Sequence, residues 1–400
     1  MKIAIIIRKL NVKGGAQRQA LCLALELKKR GHKIKFYTLA YDKEKCFSDI
    51  LDNFEVVSLE SAPQQHEGIF GYFSLLAAEN REAKKLALLI DEDTELLHPH
   101  DQVAYKAAYY FKKLIKNIPS VWMMNDAPSK IISHIVAEDL GVAHKLPFWK
   151  KIFYKCIDWL DLKFIKAQDK IVVLDNRDRD WSREFYNKDA IVVRSGSDLG
   201  KFAYASRGNL PVKIKILLTG IFLPHRRFED AILAAEILRN ERVDFVMDII
   251  GGYDEKDKYY QKIRRLIDDK DLVDRVKLLG RVSDDELVKS YSTHDVFLFP
   301  NHMQSWGIAV FEAMACGTPV IVSKTAGASE VLTNGENALI VNPKVPEELA
   351  DAIKRLAGDF NFYAKISESG RKFVEQNIYW EKYADNMLTI FREASKISNF

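Results

Sequence analysis

Short runs of branched apolar residues recur along this chain, and each is followed by a polar loop and a stretch long enough for a helix. The first run, residues 3–7, precedes a loop with two glycines and then a helix predicted from about Gln17 to Arg30. Buried strands of parallel sheets have this composition, and a strand, a helix and a second strand in succession form a right-handed crossover. The pattern therefore predicts doubly wound α/β architecture.

The alternation runs through the chain twice, and at about 150 residues per domain the 400 residues suffice for two hydrophobic cores. Further strands are predicted at 96–97, 121–124, 171–174 and 191–193, and then at 214–218, 245–250, 276–279, 296–299, 320–322 and 338–341. A short linker is predicted at 207–211. We expect a first domain over 1–205, a second over 206–378, and a C-terminal helix within 379–400 that packs outside the second sheet or crosses back to the first domain.

Composition excludes several classes of protein. The four cysteines are scattered without a C-x-x-C pair, which argues against a zinc site or a disulfide scaffold and favours a reducing compartment. The formal net charge of +4 is too small for a dedicated nucleic-acid binder. No apolar run approaches the ~18 residues of a membrane-spanning helix. We therefore expect a cytoplasmic protein with no nucleic-acid partner.

Three groups of polar residues or glycines in the first half follow predicted strands. Gly14 and Gly15 lie where backbone N–H groups can approach a phosphate, although a plain tight turn explains them equally well. His98 and His100 can hydrogen-bond a substrate, or they are solvated loop residues. Asp126 can orient or deprotonate a hydroxyl, or it caps a turn. Since ligands bind beyond the carboxyl ends of parallel strands, the residues in these loops are candidates for the functional site.

The second half contains two further candidates. Arg226 and Arg227 place two cations at a helix start, where guanidinium groups can chelate a diphosphate or simply face solvent. Residues 299–321 run through strand, polar loop, helix, glycine and strand. Gln304 lies in that loop. Glu312 lies on that helix, where its carboxylate can accept hydrogen bonds from two adjacent hydroxyls. A buried Glu312 needs a partner or a ligand.

One acidic motif resembles that of metal-dependent transferases. Asp91 and Asp93 have the D-x-D spacing, but they lie in a charged stretch before a predicted strand. A solvated loop is the preferred interpretation, and no metal ligands are predicted.

Over nearly its whole length the chain resembles the retaining nucleotide-sugar glycosyltransferases of the GT-B fold, specifically the large family four with its mannosyl- and glucosyltransferases. The segments that carry the resemblance are 14–15, 98–100, 194–198, 220–227 and 304–317, with Gly327 and Glu330 beyond them. The resemblance implies two Rossmann-like parallel-sheet domains facing a cleft, with the acceptor on the first domain and the donor on the second. The donor would be a UDP- or GDP-sugar, and no other cofactor is implied.

The resemblance also implies roles for individual residues on the nucleotide side. Glu312 would hold the ribose, and Gly14 and Gly15 would hold the diphosphate together with Arg226 or Arg227. Which arginine aligns with the basic residue of the family is open. The family usually has an arginine directly after the glycine at 220, whereas this chain has isoleucine.

On the sugar side, His100 would contact the donor sugar near the reacting carbon. Gln304 replaces the first glutamate of the family pattern, and it has lost the negative charge that can stabilise an oxocarbenium-like sugar. This replacement lowers the activity, or it suits a different donor sugar. The residues after it that would contact the donor through the backbone are Ser305, Trp306, Gly307 and Ile308. The candidate catalytic residues are His100, Asp126 and Gln304.

The reaction that the resemblance implies is transfer of a sugar from the donor to a hydroxyl of a glycan or lipid-linked acceptor, with retention and without a metal, in the synthesis of cell-surface polysaccharide or glycolipid. Two other functions stay open: a non-catalytic nucleotide-sugar binder, which Gln304 motivates, and a nucleotide-sugar epimerase on the same fold.

A basic amphipathic stretch lies at 145–166. Six lysines flank apolar residues at helical spacing, among them Trp149, Phe153, Leu160 and Phe164. It fits an anionic membrane surface, and thus a peripheral position at the inner membrane face. A helix packed on its own domain is the alternative.

Overall fold

A computed structural model describes residues 1–61, 68–205, 212–303 and 306–397 of the chain. The predicted linker at 207–211, Gln304 and Ser305 lie outside these residues. Contacts divide the chain into two compact units. The first unit contains Met1–Ala137, His144–Gly196 and Trp380–Phe400, and the second contains Glu138–Ala143 and Ser197–Tyr379.

The first half of the chain alternates strands and helices as predicted. Its strands are β1 (Lys2–Leu10), β2 (Lys33–Tyr41), β3 (Glu55–Ser58), β4 (Leu96–Pro99), β5 (Val121–Met123), β6 (Lys170–Val173) and β7 (Ile191–Val192). Its helices are α1 (Gly15–Lys29), α2 (Ser48–Leu51), α3 (Gly68–Ala87), α4 (Asp101–Leu114), α5 (Lys130–Asp139), α6 (Phe148–Lys166) and α7 (Asn176–Tyr186).

The sheet of the first unit is parallel, with β1 near its centre. Four strands lie in the order β3-β2-β1-β4, and β5-β6-β7 continue beyond β4 through two isolated parallel bridges, Leu97–Ser120 and His100–Met123. The apolar run of β1 is buried on both faces, which explains its branched composition. The chain winds from β1 to one side and returns as β4 on the other, so the carboxyl ends of β1 and β4 flank the switch point where ligands bind in such sheets.

The second half follows the same plan. Its strands are β8 (Ile214–Thr219), β9 (Phe245–Ile250), β10 (Val276–Gly280), β11 (Val296–Phe299), β12 (Val320–Ser323) and β13 (Leu339–Val341). Its helices are α8 (Phe228–Asn240), α9 (Lys258–Asp269), α10 (Asp284–Thr293), α11 (Ile308–Ala315), α12 (Pro346–Gly358) and α13 (Phe360–Asn377), and the chain ends with α14 (Trp380–Ile397). All six strands are parallel in the order β10-β9-β8-β11-β12-β13. The switch point of this sheet lies between β8 and β11.

Helix α14 packs within the first unit. The Gln19 Nε2 atom on α1 donates to the Tyr383 hydroxyl at 3.0 Å, and the Arg30 guanidinium pairs with Asp385 at 2.9 Å. The Phe391 ring contacts the His98 ring edge-on at 5.0 Å. The last helix thereby supports the carboxyl end of β4.

The predicted fold class is confirmed, because the chain forms two doubly wound parallel sheets. Most strand positions agree with the sequence pattern to within one or two residues. The sequence analysis did not predict strand β3 or helix α13. None of the described helices is both long and apolar enough to cross a membrane.

Candidate functional site

The switch point of the second sheet begins with a tightly packed loop after β8. Gly220 has φ +149°, and a Cβ atom there would lie 2.9 Å from the Arg226 Nε atom. A Cβ atom on Gly251, directly after β9, would lie 1.8 Å from the Gly220 carbonyl oxygen. Both positions therefore need glycine, because backbone and guanidinium occupy the space of a side chain.

We expect Gly251→Ala to lower the melting temperature by several degrees, because inserting a methyl group against backbone costs about 1–3 kcal/mol. Thermal unfolding of the purified chain measures this effect. Gly358→Ala is the matched control, since a Cβ atom at Gly358 meets no atom within 4 Å. Equal melting temperatures for both variants would show that the β8 and β9 loops can separate without cost.

The two adjacent arginines have different surroundings. Arg227 has φ +51°, its Nε atom donates to Asp230 at 2.9 Å and its Nη1 atom to Glu229 at 3.0 Å. Arg226 has no ion pair among the described residues, and its buried Nε atom has no hydrogen-bond partner. Burial lowers the pKa of Arg226 to about 10, so it is still a cation at neutral pH. Arg226 is thus the arginine available to an anionic ligand.

Glu312 is buried on α11, with 4% of its surface exposed. The Tyr291 hydroxyl donates to its Oε2 atom at 3.1 Å and lies 3.3 Å from the Thr219 Oγ1 atom at the end of β8. This chain of polar groups connects α11 to the strand that precedes Arg226. The sequence analysis missed Tyr291 and Thr219. Only the position of Thr219, directly before the glycine at 220, could have indicated it.

The loop after β11 approaches the same place. The His302 amide donates to the His225 carbonyl at 2.8 Å, which ties this loop to the turn that contains Arg226. Gly307 has φ +83°, and a Cβ atom there would lie 2.7 Å from the Phe299 ring. Ile308 begins α11, and the buried Trp306 ring stacks on Phe311 at 4.5 Å. The amino end of α11, which favours anions, therefore lies beside the switch point.

In the first unit, the two glycines follow β1 at the other switch point. Gly14 is the extended residue before α1, and Gly15 is the first residue of α1. A Cβ atom on Gly15 would meet nothing within 4 Å, so the amino end of the helix is open. The first turn has no acidic residue that would repel a phosphate.

The two histidines lie at the end of β4, beside the same switch point. Both rings are fully buried and meet edge-on at 4.4 Å. The Val121 carbonyl accepts a hydrogen bond from His98 Nδ1 at 2.7 Å, whereas neither ring nitrogen of His100 has a partner among the residues that the structure describes. Burial lowers the pKa of His98 to about 4 and that of His100 well below its usual value. Both imidazoles are therefore neutral at neutral pH, and His100 can still form hydrogen bonds to a ligand.

Asp126 follows β5, two strands away from β1, and is exposed. Neighbouring protein atoms displace water from its carboxyl, and this desolvation raises the pKa of Asp126. The positive charge of Arg177 opposes that shift. The structure describes no contact between Asp126 and the glycines or histidines of this unit.

The D-x-D residues lie before β4, at the amino end of the sheet. Asp91 pairs with Lys35 at 3.1 Å, and Asp93 pairs with Lys2. Their position opposite the switch point supports the solvated-loop interpretation. In the part of the chain that the structure describes, no group of three potential metal ligands comes together.

Comparison with known proteins agrees with the fold described above. Residues 206–373 match the family model described as "Glycosyl transferases group 1". An uncharacterized glycosyltransferase of Methanocaldococcus jannaschii is 24% identical over 99% of each chain. Two solved structures cover 98% of this chain and nearly all of their own. Sucrose-phosphate synthase from Thermosynechococcus elongatus has a TM-score of 0.78 at 19% identity, and the Anabaena protein HepE in complex with UDP-glucose has 0.73 at 16%. The chain has the GT-B fold.

Proposed function

Because residues 206–373 of this chain match the family model of the glycosyl transferases group 1, we propose that the protein transfers a sugar from a nucleotide diphosphate sugar to a hydroxyl of a glycan or lipid-linked acceptor. The reaction proceeds with retention of the anomeric configuration and without a metal ion, in the synthesis of cell-surface polysaccharide or glycolipid. The observation that carries the proposal is the second switch point, where an arginine with no ion pair to any described residue, a buried carboxylate and a helix amino end lie together.

The proposed donor site lies on the second unit. Arg226 binds the diphosphate, since its guanidinium has no acidic partner among the described residues to compete with a phosphate. Glu312 accepts hydrogen bonds from the ribose hydroxyls while Tyr291 holds its other side. The backbone at 305–308, together with Gln304, contacts the donor sugar. Arg227, which is already paired with two carboxylates, supports the loop instead.

On the first unit, the amino end of α1 at Gly14 and Gly15 adds N–H groups for the diphosphate. His100 hydrogen-bonds the sugar near the reacting carbon, and Asp126 orients the acceptor hydroxyl. In the transfer step the bond from the anomeric carbon to the phosphate oxygen breaks, and a bond to the acceptor oxygen forms on the same face. The acceptor proton passes to the leaving diphosphate, whose growing charge Arg226 stabilises.

Release of nucleoside diphosphate from a panel of UDP-, GDP- and ADP-sugars tests the proposal. With candidate acceptors supplied, we expect release from one donor by the wild-type chain, unchanged by EDTA. Gln304→Glu should raise the rate by about one or two factors of ten if the lost charge limits catalysis, at ~1.4 kcal/mol per factor. A donor that binds to both proteins without release, with acceptors supplied, would favour the non-catalytic binder. Turnover of donor without any acceptor would favour the epimerase.

We further propose that the protein acts on the cytoplasmic side of a membrane, where a nucleotide sugar and a lipid-linked acceptor can meet. The basic helix α6 supports this location.

A further inference from the structure

Helix α6 has two apolar faces. Its inner face buries Ile157, Phe164 and Ile165 in the first unit. On the opposite face, apolar side chains are exposed at helical spacing, with exposed fractions of 79% for Phe148 and 69% for Trp159. The other exposed residues of this outer face are Trp149, Ile152, Cys156 and Leu160. Phe164, which the sequence pattern assigned to the same stripe as Trp149, thus belongs to the core. Large apolar side chains clustered in this way indicate an interaction surface.

The acidic and the basic residues of α6 have different surroundings. Asp158 accepts hydrogen bonds from the Ser129 hydroxyl at 2.6 Å and the Lys130 amide at 2.7 Å, at the start of α5. Asp161 accepts from the Tyr105 hydroxyl at 3.1 Å and pairs with the buried Lys106 at 3.2 Å. Both acidic residues of the helix are therefore engaged inside the unit.

The basic residues of α6 are instead exposed to solvent. Its five lysines are all exposed, and none of them forms an ion pair with another described residue. They are Lys150, Lys151, Lys155, Lys163 and Lys166. The outer surface of α6 therefore combines aromatic side chains with charge of one sign only.

We propose that the outer face of α6 docks onto an anionic lipid bilayer. Tryptophan and phenylalanine side chains settle at the boundary between headgroups and acyl chains, and the lysines beside them attract anionic headgroups. A second copy of the chain fits this surface poorly, because a two-fold contact would bring two clusters of five lysines together. Docking of α6 keeps the enzyme on the membrane that contains its acceptor. The link to a lipid-linked acceptor rests on the proposed function, which this docking surface deepens.

Co-sedimentation of the full chain with vesicles tests the docking surface. Vesicles of phosphatidylcholine alone are compared with vesicles that also contain phosphatidylglycerol, without any donor. We expect binding to the anionic vesicles only. The double variant Lys151→Glu/Lys155→Glu should weaken it at least tenfold, and Trp159→Ser should weaken it severalfold. Controls of the same types at α3 of this unit are Lys84→Glu, on the helix, and Leu88→Ser, directly after its last residue, since both residues are exposed. Neither control should change binding.

Several results would overturn the inference. They are absence of binding to anionic vesicles, equal binding to neutral vesicles, equal effects of the α6 and α3 variants, or a concentration-dependent dimer that the α6 variants dissociate. Nucleoside diphosphate release with a water-soluble acceptor should be the same for wild type and the α6 variants. Vesicle binding with no release from any donor would refute the proposed function while leaving the docking surface in place.

Discussion

Glu312→Ala is expected to abolish measurable donor binding, and nucleoside diphosphate release with it. The carboxylate is buried, and in the proposed complex it accepts hydrogen bonds from two ribose hydroxyls. Hydrogen bonds to a charged group contribute about 1.5–3 kcal/mol each, so losing both weakens binding by at least ~100-fold. The variant also leaves the Tyr291 hydroxyl without its carboxylate acceptor. Titration calorimetry with the donor found in the release panel measures the change.

Two controls separate this effect from unfolding. Glu312→Gln keeps the shape of the side chain and an oxygen that can accept from Tyr291, so its melting temperature should stay near that of the wild type while donor affinity falls. Tyr291→Phe keeps the carboxylate and removes only its internal donor, so it should retain most of the donor affinity. If Glu312→Ala is folded and binds the donor as tightly as the wild type, Glu312 does not hold the ribose.

Much of the fold follows from the sequence because both sheets are parallel and buried. Strands β9 and β11 coincide with their predicted ranges, since each is a largely apolar run followed directly by glycine or proline, and only Asp248 interrupts the run in β9. Their order in the sheet was not predicted. It places the residues after β8 and β11 side by side at a switch point, and thereby brings together segments nearly 80 residues apart.

The details of the candidate site depend on contacts that a linear pattern does not contain. Tyr291 lies on α10 with no special sequence signal, and only the packing of α10 beside α11 brings its hydroxyl to Glu312. Likewise, Asp158 and Asp161 lower the apparent basicity of α6 in the sequence. The structure turns both of them inward, because α5 and Lys106 need acidic partners there.

The two adjacent arginines of the candidate site also differ in ways that only the structure shows. As neighbours of the same residue type, Arg226 and Arg227 cannot be told apart by sequence. The structure distinguishes them by the left-handed backbone of Arg227 and its bonds to Glu229 and Asp230. We expect Arg226→Ala to weaken binding of a nucleoside diphosphate by ~10–100-fold, the equivalent of one charge-assisted contact at about 1.5–3 kcal/mol.

Arg227→Ala is the matched variant and should have the opposite profile. It leaves the buried Glu229 and Asp230 without their arginine, so the free energy of unfolding should fall by about 1–3 kcal/mol while diphosphate affinity changes little. Calorimetry with the nucleoside diphosphate and with the nucleoside alone completes the test. Arg226→Ala should leave nucleoside affinity unchanged, whereas Glu312→Ala should reduce it, because both ligands contain the ribose and only one contains the diphosphate. Loss of diphosphate affinity in Arg227→Ala, with Arg226→Ala like the wild type, would assign the phosphate contact to the other arginine and require the loop to open its ion pairs on binding.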